Sequence, residues 1–284
     1  MNNLPIITSA SFNIKVLPKR VHMLLEVLSE DKWFSTEDLL LNAGIREQLK
    51  VARYIRENLL IMSESGLVRR KPDKSSPRYQ LSDLGQRLNQ VQSISPDLYA
   101  DMIHFIFYVL VEGQQYQGIK LSSWSWVYQS TCCLLWQARP TVPAFSDQAA
   151  ALHQKLSVEH PEYGKGVYPK SPNAVVLWLS ELHPPFLQVR GKQRNTCGRV
   201  WCSPELFVLG IDRCYQRKHL PYGTPLLLVD QVWNELAQLC LMEVEQLEEV
   251  FEIARSTFSF LKVHTGEWGR SVILEHAIQV LDIL

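Results

Sequence analysis

Three helical patterns followed at once by a basic hairpin, all between Val21 and Gln90, constrain this chain more than any other feature. Val21 to Ser29 places Leu24, Leu25, Val27 and Leu28 on one side at helical spacing. Ser35 with Asp38 three residues on is a near match to a capping box and starts a short second helix. That helix is expected to stop at Asn42-Ala43-Gly44, where Gly44 suits a left-handed end. A third helix is predicted from about Arg46 to Ser65, ending at Gly66, with Leu49, Ala52, Ile55, Leu59 and Met62 as its apolar stripe. Leu67 to Lys71 and Arg78 to Leu81 read as paired strands around a Pro72 to Pro77 turn, and Ser82 caps a further helix.

Helix, helix, helix and hairpin in this order describe a winged helix, a helix-turn-helix core with an appended β wing. Arg46, Lys50, Arg53 and Arg56 lie largely off the apolar stripe, and the last three step by three residues along one face. A cationic face on a recognition helix suits phosphate and base-edge contact. Tyr54 and Asn58 are expected to add hydrogen bonds on that face. Arg69, Arg70, Lys71, Lys74 and Arg78 place further cations on the wing, which in such folds tracks the backbone or enters the minor groove. Surface helices also carry Arg and Lys for solubility, and many winged helices bind protein instead.

The 284 residues exceed what one winged helix needs. The division read from the sequence is a winged-helix domain over 1–92, a mainly helical middle over 93–219 and an acidic winged-helix-like unit over 220–284. The overall fold class is mainly α with short β-hairpins (α+β). Net charge is zero, yet residues 1–92 hold 14 Lys+Arg against 10 Asp+Glu, residues 93–219 hold 12 against 9, and residues 220–284 hold 3 against 10. A polyanion is therefore met by the front of the chain, and the acidic tail suits a protein partner or a second copy. Six cysteines without regular spacing argue against a secreted disulfide framework and for the cytoplasm. Met1 to Ala10 lacks the basic start of a signal peptide. Met102 to Val111 is apolar over about ten residues, against roughly 20 for a membrane span, and reads as a buried helix.

In the middle, Ser95 to Glu112 reads as one helix, followed by a polar loop over Gly113 to Lys120. Trp124, Trp126, Tyr128 and Trp136 invite a base-stacking reading, but aromatic clusters more often build a core. Phe186 to Val189 and Arg199 to Cys202 are expected to flank a basic loop carrying Arg190, Lys192, Arg194 and Arg199. The loop suits a second nucleic-acid contact and a solvated hairpin tip equally well. In the tail, helices over Val229 to Leu239 and Met242 to Ala254 precede strands over Phe258 to Val263 and Arg270 to Leu274. The second of these helices carries Glu243, Glu245, Glu248, Glu249 and Glu252, a face that repels a polyanion.

No phosphate-cradling glycine loop, H-E-x-x-H, G-x-S-x-G or C-x-x-C motif occurs. His104 lies on an apolar helix face as a core histidine would, and His183, Cys197, Cys202 and Cys214 lack the close pairing of structural zinc ligands. The expectation is a binding protein with no catalytic residue, no metal and no cofactor. Its partners would be double-stranded DNA and, through the tail, a protein or a second copy in a homodimer, with no membrane involved.

The segments SFNIKVLPKRVHMLLEVLSEDKWFS, AGIREQLKVARYIRENLLIMSESGLV, YQLSDLGQRL, SPDLYADMIHFIFYVLV and SSWSWVY follow one another between Ser11 and Tyr128. In this succession the chain resembles an uncharacterised bacterial winged-helix family. That family is encoded beside sulfur-based DNA-backbone modification and other antiviral defence genes. The resemblance covers somewhat under half the chain and departs at Ile45-Arg46-Glu47, where the family has a glycine-bearing turn. It implies a transcription regulator or a DNA-engaging subunit of a defence or DNA-modification system. The residues alone leave a protein–protein adaptor as the alternative.

Overall fold

Local signals start and stop each element of the front of the chain. The computed structural model describes residues 16–42, 44–45, 52–72, 76–116, 123–161, 167–190, 193–267 and 269–284. Helix α1 (Pro18–Val27) opens on a proline, which needs no amide partner there, and buries Val21, Leu24 and Leu25. Helix α2 (Thr36–Leu41) has the expected capping box: the Asp38 amide donates to Ser35 Oγ at 3.1 Å and the Ser35 amide to Asp38 Oδ2 at 2.7 Å. Its end differs from expectation. Gly44 is not left-handed; Asn42 Oδ1 instead accepts from the amides of Gly44 (3.0 Å) and Ile45 (3.4 Å). One side chain thus satisfies amides that a helix start leaves open.

Helix α3 (Ala52–Glu64) buries Ile55, Asn58, Leu59, Ile61 and Met62. Asn58, expected on the outer face, is three residues after Ile55 and four before Met62, so helical geometry turns it inward. The helix ends as expected at Gly66, with φ +75°. The Leu67 amide reaches Met62 O (2.8 Å) and the Gly66 amide Ser63 O (3.2 Å), as in a Schellman stop. Strands β1 (Val68–Lys71) and β2 (Arg78–Leu81) then pair antiparallel, Val68 opposite Leu81 and Lys71 opposite Arg78. Phe34 adds a bridge on the far side of β2: its amide and carbonyl each meet those of Tyr79 at 2.8 Å. Helix α4 (Asp83–Ile94) is capped by Ser82, whose Oγ accepts from the Gly85 amide at 3.0 Å and donates to Gly66 O at 2.6 Å.

The chain divides into two compact units, Met1–Gln86 with Ile106–Trp178, and Arg87–Phe105 with Leu179–Leu284. In the first, Phe107 of helix α5 (Pro96–Tyr116) meets Trp124 and Tyr128 of α6 (Ser123–Gln137) and Trp178 of α8 (Lys170–Leu179), with ring centroids 5.3–5.8 Å apart. Helix α7 (Phe145–Glu159) follows α6 in sequence and packs on it. Trp124, Trp126 and Tyr128 are buried, so these aromatics are core. The Trp178 indole donates to Val16 O at 3.0 Å, giving its polar edge a partner.

The second unit holds the hairpin β3 (Leu187–Arg190) and β4 (Gln193–Thr196), then helix α9 (Pro204–Arg217), β5 (Leu226–Leu227), α10 (Asp230–Cys240), α11 (Leu247–Thr257), β6 (Leu261–Gly266), β7 (Gly269–Leu274) and α12 (Val280–Ile283). Ser203 Oγ caps α9 by accepting from the Leu206 amide at 3.2 Å. The helix expected from Met242 begins only at Leu247. Leu241 is left-handed (φ 54°) and Met242 bridges to Arg199, so the backbone is extended there. The strand expected over Phe258 to Val263 runs instead from Leu261, because the Leu261 amide closes a turn on Phe258 O at 3.1 Å.

One order of elements occurs twice. Helix, short strand, helix, helix, strand, strand describes α1, Phe34, α2, α3, β1, β2, and again α9, β5, α10, α11, β6, β7. In both, the short strand lies antiparallel to the last strand, which sits in the middle of its sheet. Among the described residues the fold is mainly helical with small antiparallel sheets, an α+β arrangement, and no helix is long and apolar enough to cross a membrane.

The close passage of α4 over the end of α3 depends on one residue. A Cβ on Gly85 would lie 2.1 Å from Leu67 O, a backbone atom with no rotamer to yield. Gly85→Ala is therefore expected to lower stability by about 1–3 kcal/mol or more, as overpacking does, in a thermal or denaturant unfolding measurement.

Candidate nucleic-acid interface

Helix α3 exposes Arg53 and Arg56, three residues apart on the side away from Ile55 and Leu59. Arg53 Nε lies 2.6 Å from Glu57 Oε1, one turn on, with the arginine side chain 70% exposed. Arg20 of α1 stacks over the Tyr54 ring at 4.5 Å and lies within the field of Glu57, adding a cation that spacing along α3 could not reveal.

Antiparallel pairing sorts the cations of the hairpin. Directly opposed residues share a face, so Val68 with Leu81 and Arg70 with Tyr79 form one face, and Arg69 with Gln80 and Lys71 with Arg78 the other. The first face carries the buried Val68, Tyr79 and Leu81, and Arg70 is its exposed end. Burial pushes the Tyr79 phenol above its ordinary pKa, while the charges of Arg70 and Arg56 and a hydrogen bond from Arg70 draw it back. An arginine of the helix and an arginine of the hairpin thus both act on one buried phenol. On the other face Arg69 Nη2 pairs with Asp83 Oδ1, at the start of α4. Arg78 and Lys32 both act on Asp38, whose pKa is lowered chiefly by the Ser35 amide, and Lys32 lies over the Phe34 ring at 5.0 Å.

Arg46, Lys50, Lys74 and Lys192 lie outside the described residues. Of the second basic cluster, Arg190 and Arg194 lie in the strands β3 and β4 instead of in a loop, the return strand is Gln193–Thr196 and not the expected Arg199 to Cys202, and Arg194 is exposed. Arg199 is a correction: it is 1% exposed and cannot meet a polyanion. Its guanidinium donates to Pro184 O (3.0 Å), His183 O (2.8 Å) and Cys240 O (3.4 Å), and Nη2 lies 2.8 Å from Asp101 Oδ1 without hydrogen-bond alignment. Burial raises the Asp101 carboxyl, which Arg199 and the Ser203 amide at 2.7 Å pull back toward the ionised form. The neighbouring Gly198 holds no strand: its amide donates to Glu243 Oε1 at 2.8 Å, and a Cβ there would meet that carboxylate at 2.3 Å.

His104 is a buried core histidine whose Nε2 lies 2.8 Å from Leu239 O, and burial pushes its pKa down to about 4. Cys202 is buried beside Cys240, and burial raises its thiol well above the ordinary range. Among the described residues no three His, Cys, Asp or Glu are grouped to hold a metal ion, and no cysteine forms a disulfide.

No protein-family model matches this chain, and no curated protein does. Solved structures do. An SspB crystal structure is 11% identical with a TM-score of 0.55, over 95% of this chain and 82% of that one. A magnesium-ion-bound SspB crystal structure is 10% identical with a TM-score of 0.57, over 94% of this chain and 81% of that one. At such identities the likeness is one of fold.

Two measurements check the buried groups. Arg199→Leu leaves Asp101 buried without its counter-charge and is expected to cost about 3–5 kcal/mol, with much of the loss recovered by adding Asp101→Leu. Arg194→Ala, at the surface, is expected to change stability by less than about 0.5 kcal/mol. For His104 the unfolded chain takes up a proton near pH ~6.5, whereas the folded chain resists until about 4. Stability held at neutral pH should therefore fall, by up to about 3 kcal/mol, as pH drops through that window. His104→Gln should flatten that part of a pH–stability profile.

Proposed function

We propose that the chain binds double-stranded DNA through a winged helix formed by α1 to α4, with α3 as the recognition helix and β1–β2 as the wing. The observation that carries this reading is that Arg70 stands directly opposite Tyr79 across the hairpin while Arg56 of α3 acts on the same phenol. Two guanidinium groups acting on one phenol repel each other, an arrangement that the folded unit alone has to tolerate. An anion received between helix and wing does reward it, and a backbone phosphate is the anion a duplex offers there. The bridge of Phe34 to Tyr79 supports the same reading, since it completes the small three-stranded sheet from which a wing projects. Arg53, Lys71 and Arg78 extend the cationic surface, and Arg46, Lys50 and Lys74 belong to the same stretch of sequence.

The repeat formed by α9 to β7 is, on this reading, a second winged helix that does not take DNA. Its third helix exposes Glu248, Glu249 and Glu252, and its hairpin cation Arg270 is forked across both oxygens of Glu248. That surface suits a protein partner or a second copy. In the cell such a protein acts in the cytoplasm, as a transcription regulator or as the DNA-engaging subunit of a defence or DNA-modification system. An adaptor that docks only proteins is the second reading, favoured by the acidic repeat.

The double variant Arg56→Glu with Arg70→Glu separates them. On a random duplex at low salt it should lose at least about tenfold in affinity, and the log–log salt slope should fall by about 1.8 for two phosphates. Unchanged binding would remove DNA from this face. A chain that shifts no duplex at low salt but scatters light as a complex would be the adaptor.

A further inference from the structure

Two of the arginines offered to a duplex already hold carboxylates of the same unit. Arg53 Nε is 2.6 Å from Glu57 Oε1, and Arg69 is paired to Asp83 across the hairpin and the start of α4. Neither pair is buried: Arg53 is 70% exposed and Arg69 52%. Glu57 is the more enclosed carboxylate, at 23%, and sits between the charges of Arg53 and Arg20. Exposed pairs of this kind contribute little to stability. Their geometry has a different consequence. Each carboxylate takes one nitrogen of its guanidinium, so a phosphate that needs that N–H in a bidentate contact must displace it.

We propose that Glu57 and Asp83 are intramolecular competitors of DNA phosphate, which hold down general affinity for the backbone so that binding depends on contacts beyond it. This rests on the DNA-binding reading above. A duplex must displace each carboxylate to engage Arg53 or Arg69, and the displaced carboxylate then repels the same phosphate. The charge that Arg53 and Arg69 offer a phosphate is thereby reduced in the native chain, whereas Arg70 hydrogen-bonds a phenol. The non-specific part of binding, which scales with phosphates neutralised, is thereby reduced selectively. The two acids are in this sense specificity-determining residues: they cost the complex affinity everywhere and cost least where further contacts compensate.

The test uses the full chain, with Glu57→Gln, Asp83→Asn and the native protein titrated against one random duplex by fluorescence anisotropy over a range of salt. Each variant is expected to bind about two- to fivefold more tightly at low salt, the range that an exposed pair is worth. Its log–log salt slope should steepen by up to about 0.9. Arg69→Gln should then weaken binding more in the Asp83→Asn background than in the native chain, a coupling that a merely structural role would not produce. Native binding with unchanged affinity and slope in both variants overturns this inference and leaves the DNA reading standing. Absence of binding by all three, with unfolding curves intact, overturns both.

Discussion

Everything in the second unit that lies near Arg199 depends on keeping one buried guanidinium satisfied. The ion pair to Asp101 at 2.8 Å brings α5 into that neighbourhood, and the carbonyls of His183, Pro184 and Cys240 each accept one of its N–H groups. The backbone of the same residue continues the pattern, with its amide on Leu241 O at 2.7 Å and its carbonyl taking the Glu243 amide at 3.1 Å. Asp101 in turn holds the Ser203 amide, next to the cap of α9. A charge this deep is tolerable only when every donor has an acceptor. The acceptors come from His183 and Pro184, in irregular backbone, and from Cys240 at the end of α10, next to the left-handed Leu241. Irregular backbone has carbonyls to spare, and the arginine collects them.

That need explains where reading along the chain succeeded and where it failed. Ser35 with Asp38, Gly66 and Ser82 act within a few residues of themselves, so their roles follow from spacing alone, and the structure places each as expected. The same holds for Trp124, Trp126 and Tyr128, because bulk and apolarity decide burial wherever partners are found. Arg199 could not be read this way. It closes a stretch from Arg190 rich in glycine, cations and polar residues, typical of a hairpin tip, and its partners lie up to 98 positions away, at Asp101. Phe34 failed for a related reason: a single bridging residue has no periodicity, and its partner Tyr79 is 45 positions on. Asn58 was misjudged on chemistry, since a polar side chain on the apolar stripe looks like an exception until its Nδ2 is seen donating to Tyr54 O at 2.7 Å. Of the candidate interface, composition identified the cations of α3 and the hairpin, but which of them meet depended on strand register, which a run of five charged residues does not specify.

Register also bears on the contrast between the two repeats. In the first hairpin the inner face runs Val68, Arg70 on one strand and Tyr79, Leu81 on the other. In the second it runs Leu261, Val263, Thr265 and Arg270, Val272, Leu274. Each inner face therefore ends, toward the hairpin tip, in one arginine. Arg270 reaches the third helix of its own repeat, where Glu248 accepts from it. In the second repeat the helix meets Arg270 with Glu248 and Glu252, and the ring of Phe251 lies 4.7 Å below it. The arrangement is closed: charge, hydrogen bonds and aromatic face are all supplied from within.

In the first repeat Arg56 of the helix and Arg70 of the hairpin both act on the Tyr79 phenol. In the other repeat the hairpin arginine is met on its helix by the carboxylates of Glu248 and Glu252. A second cation instead costs energy in the absence of a counter-ion, by an amount that screening limits but does not reverse. The two repeats thus share an order of elements and differ in the charge that the third helix sets near its hairpin arginine. One closes its arginine on Glu248 and Glu252, and the other brings Arg56 and Arg70 to act on a single phenol.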